Sequence, residues 1–212
     1  MTTFDLADAV LPVRPAVRAE LEREWTRLAQ PGAWFTGAER VAMAAEARAA
    51  LTMTEAGSGL PDVVVEVAQA VATDAMHIRR DWVEDVVGRG VRVEAYTEVV
   101  GVVSRLCAVD TYVKGVGATE VTLPEEPANG KPSHETNPEV TQREAFVPTA
   151  VSDNAPYALS AAIGEAEAML SLHGPIYLTL EQMGDLHHQS ELSRVQIEFV
   201  AAHTSWLNDC FY

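Results

Sequence analysis

Cysteine is nearly absent from this chain: its 212 residues include two, Cys107 and Cys210. That is too few for a disulfide framework, so any covalent role belongs to one thiol or to a single pair. Cations are scarce as well. Fifteen Lys and Arg face 31 Asp and Glu, and the resulting net charge of −16 repels nucleic acid and anionic lipid over the whole surface. Long apolar runs are missing, none approaching the ~18 residues that a membrane-spanning helix requires. The Met1–Asp8 start lacks the cationic, apolar pattern of an export signal. These absences point to a cytoplasmic protein that binds neither nucleic acid nor membrane.

What is present is helical periodicity. Val17, Leu21, Trp25 and Leu28 recur at three- and four-residue steps and predict a helix over 15–30 that stops at Pro31-Gly32. Thr36 with Glu39 forms a capping box ahead of an Ala-rich helix over 40–52. Helices are predicted over 62–73 and 74–90. The apolar set Tyr96, Val99, Val100, Val103, Leu106, Cys107 and Val113 predicts the longest and most buried helix over 94–115. Residues 118–156 hold six of the eleven prolines, which break helix and strand alike, and read as a long wrapping loop on the chain's own surface or on a partner subunit. Three further helices are predicted over 157–172, 180–187 and 190–206, and no strand. The expectation is a single all-α domain spanning 1–212.

Two segments echo each other at an offset of one hundred residues. "TEVVGVVSRLCAVDTY" (97–112) and "IEFVAAHTSWLNDCFY" (197–212) share Glu98 with Glu198, Val100 with Val200 and Tyr112 with Tyr212. This reads as an internal duplication or as chance between helical sequences. Asp110 stands where the second segment has Cys210.

Cys210 follows Asn208 and Asp209, both good helix N-caps. A thiol at the start of a helix meets unpaired N–H groups and the positive end of the helix dipole, which favour thiolate, whereas the charge of Asp209 opposes it. The other reading is a buried, inert cysteine. Glu198, twelve positions earlier, interrupts the apolar stretch Val195–Ala202. It reads either as a buried carboxylate that handles protons or as a residue ion-paired at the helix edge. His203 lies about 10 Å from position 210 along a continuous helix at 1.5 Å per residue, too far to activate a thiol there. His187-His188 beside Asp185 lacks the spacing of a metal site and reads as a solvated turn. Cys107 reads as core, and Trp25, Trp34, Trp82 and Trp206 as packing anchors. Neither a metal nor a cofactor is expected.

"RVQIEFVAAHTSWLNDCFY" (194–212) resembles the core of the AhpD-like alkylhydroperoxidase and carboxymuconolactone decarboxylase superfamily. "PGAWFTGAERVAMAAEARAA" (31–50), "EAYTEVVGVVSRLCAVDTYVKGVG" (94–117) and the "GKPS" loop (130–133) are similar to its longer, peroxidase-related branch. The resemblance implies an all-helical bundle, a homo-oligomer, and a Cys-x-x-Cys centre with a following histidine that reduces peroxide and is restored by an external dithiol. It makes Glu198 the proton-relay carboxylate and Cys210 the first cysteine, which resolves the oxidised intermediate. The second cysteine and the histidine would fall after Tyr212. A chain cut short, a member that has lost the chemistry, and a frame ended at a UGA codon for selenocysteine each account for this, and a thiol- or selenol-dependent peroxidase, impaired in this form, is the expected function. The alternatives are a decarboxylase-like acid–base enzyme with Glu198 as base and a non-catalytic helical oligomer.

Overall fold

The computed structural model describes residues 4–208, and Cys210 lies outside them. Eight α-helices carry the fold: α1 (Pro15–Leu28), α2 (Gly37–Thr52), α3 (Asp62–Thr73), α4 (Arg80–Gly88), α5 (Val93–Gly115), α6 (Glu165–Ile176), α7 (Leu180–Gly184) and α8 (Arg194–Leu207). Among the described residues there is no strand, only the isolated bridges Thr141–Thr149 and Gln189–Ser193. The all-α expectation is met. No helix among the described residues is long and apolar enough to cross a membrane.

The core is built around α5, which packs against α1, α2, α3 and α6. Its 23 residues bury Val99, Val102, Val103, Leu106, Val109 and Val113 against Val17 and Leu21 of α1, Met43 and Ala47 of α2, and Val64 and Val67 of α3. Each fully buried Val or Leu contributes about 1.5–3 kcal/mol by leaving water, which offsets the β-branched residues' poor helix propensity. α2 begins as predicted: the Thr36 hydroxyl accepts from the Glu39 N–H while the Glu39 carboxylate accepts from the Thr36 N–H. The predicted helix over 74–90 is broken after a 3-10 turn at Ala75–His77, and α4 starts at Arg80.

The proline-rich segment wraps this chain's own core. Ala128 N–H donates to the Ala29 carbonyl at 2.8 Å and His134 N–H to that of Ala33 at 2.8 Å. Further back, the Thr122 carbonyl accepts from Trp25 Nε1 at 3.0 Å. Beyond it, α6 begins eight residues later than predicted, at Glu165, and carries Pro175 in its last turn. The intervening Ala155–Gly164 stretch forms turns because Pro156 and the left-handed Gly164 interrupt the helical ladder.

α8 differs from the other long helices in burying no side chain. A third capping box, Ser193 with Gln196, starts it, and Asn208 ends it. Val195, Phe199, Val200, Trp206 and Leu207 are all exposed, Trp206 by 70%. Trp206 is therefore not the packing anchor within this chain that the sequence implies.

Candidate functional site

Ser193 fixes where α8 starts, and three- and four-residue periodicity then sets its faces. Arg194, Ile197, Ala201 and Ser205 are half-buried on one side. Phe199, His203 and Trp206 form a row of rings on the other: Phe199 and His203 stack with centroids 6.2 Å apart, and His203 and Trp206 lie 5.5 Å apart. Glu198 projects from the flank between the two sides. Its side chain is 49% exposed, and Oε1 accepts from Arg194 Nε at 2.7 Å and Nη2 at 2.6 Å. Of the two readings of this carboxylate, the ion pair at the helix edge is the one found within the chain. Ala202, which is small, follows Glu198 on the same flank at a step of four residues, whereas Ser205 belongs to the half-buried side.

Position 210 lies beyond the described residues, so the contact between Glu198 and Cys210 has no distance. Leu207 lies nine positions beyond Glu198, about 14 Å at 1.5 Å per residue. The helix closes at Asn208, whose N–H donates to the Thr204 carbonyl at 3.1 Å. Glu198 therefore stands on a helix that ends just before the thiol.

The most heavily buried charges lie elsewhere, where α1, α2, α5 and α6 meet. Arg40 Nη1 donates to Glu98 Oε1 at 2.7 Å and to Glu165 Oε1 at 3.0 Å. Arg105 Nη1 donates to Glu165 Oε2 at 2.6 Å, and its Nε to Glu24 Oε2 at 2.8 Å. Arg27 then pairs with Glu24 at the rim. Two missing side chains make room for this chain of ions. A Cβ on Gly32 would collide with Glu98 Oε1 and Arg40 Nη1, and one on Gly101 with Glu165 Oε2. Glu98 is fully buried, and its second oxygen accepts from the Trp34 N–H at 2.7 Å. Burial pushes its carboxyl above the ordinary range; Arg40 opposes that shift and the charge of Glu165 adds to it. Desolvation in the same turn of α5 pushes Tyr96 up to about 12.

The sequence reading missed this cluster, although Glu98 entered it as half of the internal echo. The signal was present in the text: Glu98 interrupts "AYTEVV" and Arg105 interrupts "VVSRLC", lone charges in apolar stretches of the kind weighed at Glu198. Glu24 sits among polar neighbours and gave no such signal, and Glu165 shares its apolar surroundings with Glu167. Asp110, at the position equivalent to Cys210 in the echo, accepts from Arg48 Nε at 2.9 Å and Nη2 at 2.7 Å. Cys107 is partly buried in the core, as expected, and burial followed by the charge of Asp110 pushes its thiol up. No group of three or more His, Cys, Asp or Glu able to hold a metal ion occurs among the described residues. His187 is exposed on a turn, as the sequence implied.

Compared with models of known families, with curated proteins and with solved structures, the chain matches none.

Proposed function

We propose that this chain is a thiol- or selenol-dependent peroxidase-type protein of the AhpD-like kind, whose redox centre is served by Glu198 and Cys210. The observation that carries the reading is the end of α8. The helix presents Glu198 half-exposed on its flank and closes at Asn208, two positions before Cys210 in the sequence. In this reading Cys210 resolves: its thiolate attacks a sulfenic or selenenic acid formed by peroxide, a disulfide or selenenyl sulfide forms, and water leaves. An external dithiol then reduces that bond and is itself oxidised. Glu198 carries the proton that the resolving thiol gives up. Cys107 takes no part, because burial holds its thiol protonated.

The test uses intact-mass and peptide analysis after stoichiometric hydrogen peroxide in the presence of glutathione. The 212-residue chain is expected to acquire a mixed disulfide at Cys210, slowly and with little catalytic turnover, and Cys210→Ser to acquire none. Glu198→Gln should change the rate of modification several-fold. Oxidation confined to Cys107, or equal rates with and without the Glu198 carboxylate, would overturn the reading. An acid–base enzyme using Glu198 alone would instead lose activity in Glu198→Gln and keep it in Cys210→Ser.

A further inference from the structure

We propose that α6 is a proton-linked lid, pinned by Glu165 between Arg40 and Arg105, that closes over the buried Glu98–Arg40 pair and opens as pH rises. The proposal is independent of the redox reading, since neither Glu198 nor Cys210 takes part.

The seat of α6 is unusually polar for a helix packed on a core. Only Ala168 and Leu172 among its apolar side chains are fully buried. Ile176 packs partly buried against the core, and the other attachments described here are ionic or hydrogen-bonded. Besides Glu165, the Ser171 hydroxyl donates to Glu20 Oε1 at 2.7 Å, and the Pro175 carbonyl accepts from Arg14 Nη2 at 2.7 Å. A helix held this way leaves at a lower cost than α3 or α5, whose attachments are aliphatic.

The arrangement of charges makes withdrawal feasible. Removing one member of a buried pair is ordinarily costly because the other charge is orphaned. Here each arginine keeps a second carboxylate when Glu165 departs: Arg40 retains Glu98, and Arg105 retains Glu24. With Glu165 in place, Glu98, Glu165 and Glu24 crowd around Arg40 and Arg105, with Arg27 at the rim. Those are the charged groups that α1, α2, α5 and α6 turn toward Glu98, and the Trp34 N–H completes its surroundings.

The sign follows from what docking does to Glu98. Closure keeps it from water and sets the Glu165 charge near it, and both raise its affinity for a proton. The closed form therefore binds the proton more tightly than the open form. The contribution of Glu98 to closure is complete below the ordinary carboxyl range and is lost as pH rises through the raised value. Opening exposes a carboxylate held by an arginine at the centre of the bundle.

Amide hydrogen exchange on the full chain tests this, with rates corrected for the intrinsic effect of pH and the amides of α3 and α5 as references. In the wild type, protection of α6 should fall at least tenfold between pH 5.5 and 8.5 while α3 and α5 hold theirs. Gly101→Ala raises the helix propensity of α5 but fills the notch that admits the Glu165 carboxylate, and should leave α6 unprotected at both pH values. Glu165→Gln keeps the shape and removes the charge, and should weaken the pH dependence of α6 protection, leaving the part that comes from the burial of Glu98. Constant α6 protection in the wild type, intact protection in Gly101→Ala, undiminished pH dependence in Glu165→Gln, or loss of α3 and α5 protection together with α6 would each overturn the proposal.

Discussion

Three glutamates show how far the same side chain is redirected by its surroundings. Glu39 completes a cap, Glu198 lies half in water beside Arg194, and Glu98 is sealed in the core with Arg40. At Glu98 burial outweighs the partner, so there the fold favours the protonated acid. A carboxyl whose folded value exceeds its unfolded value contributes stability that is complete below the unfolded value and is lost as pH rises through the folded one. Glu98→Gln removes that titration. The stability of the wild type minus that of Glu98→Gln, measured by urea denaturation, should accordingly decline as pH rises above the ordinary carboxyl range. A difference that stays flat or grows with pH would show that Glu98 is charged throughout. The sequence exposed Glu98 as an anomaly without revealing its surroundings, because Arg40 lies 58 positions from Glu98, and Glu165 lies 125 from Arg40.

At the scale of elements, starts were legible wherever a side chain marks them. Thr36 with Glu39 was read correctly because a hydroxyl and a carboxylate three residues apart satisfy two N–H groups that the helix leaves open. Thr36→Ala removes one of those acceptors and should cost about 1 kcal/mol, visible as a lower urea midpoint with an unchanged slope. No change in the midpoint would mean that the Glu39 carboxylate supports the turn alone. The start of α6 was not legible, since its N-cap is Gly164 without a side-chain acceptor and the helix is placed by Glu165 docking on distant arginines. The break before α4 was missed for a similar reason: apolar periodicity continues through Ile78 and Trp82 while the backbone turns at Asp74–Arg79. The long α5 was the easiest to read, because one helix spans its whole apolar pattern.

At the scale of the whole molecule, the chain divides its apolar residues unevenly. α1, α2, α3 and α5 enclose a close-packed core, whereas α8 turns Val195, Phe199, Val200, Trp206 and Leu207 to water. A stretch of apolar surface on that scale is characteristic of an interaction face. On the proposed AhpD-like reading, a homo-oligomer would take this face as its seam, since Val195, Phe199, Val200, Trp206 and Leu207 carry no charge. Light scattering at micromolar concentration should then give a mass of at least twice that of one chain, and the double substitution of Phe199 and Trp206 by Asp should halve it or more while leaving the circular dichroism unchanged. A monomeric wild type would refute the assembly. The all-helical class followed from periodicity alone. The redox assignment rests on the pairing of Glu198 with Cys210, which neither periodicity nor the helix geometry measures.

The most direct test of that pairing is the rate at which Cys210 reacts with a small alkylating reagent as a function of pH, in the wild type and in Glu198→Gln, on a Cys107→Ala background. A carboxylate close to a thiol holds the thiol's ionisation at higher pH. The account predicts that loss of the Glu198 charge moves the reactivity profile of Cys210 to lower pH, and identical profiles in the two proteins would contradict it.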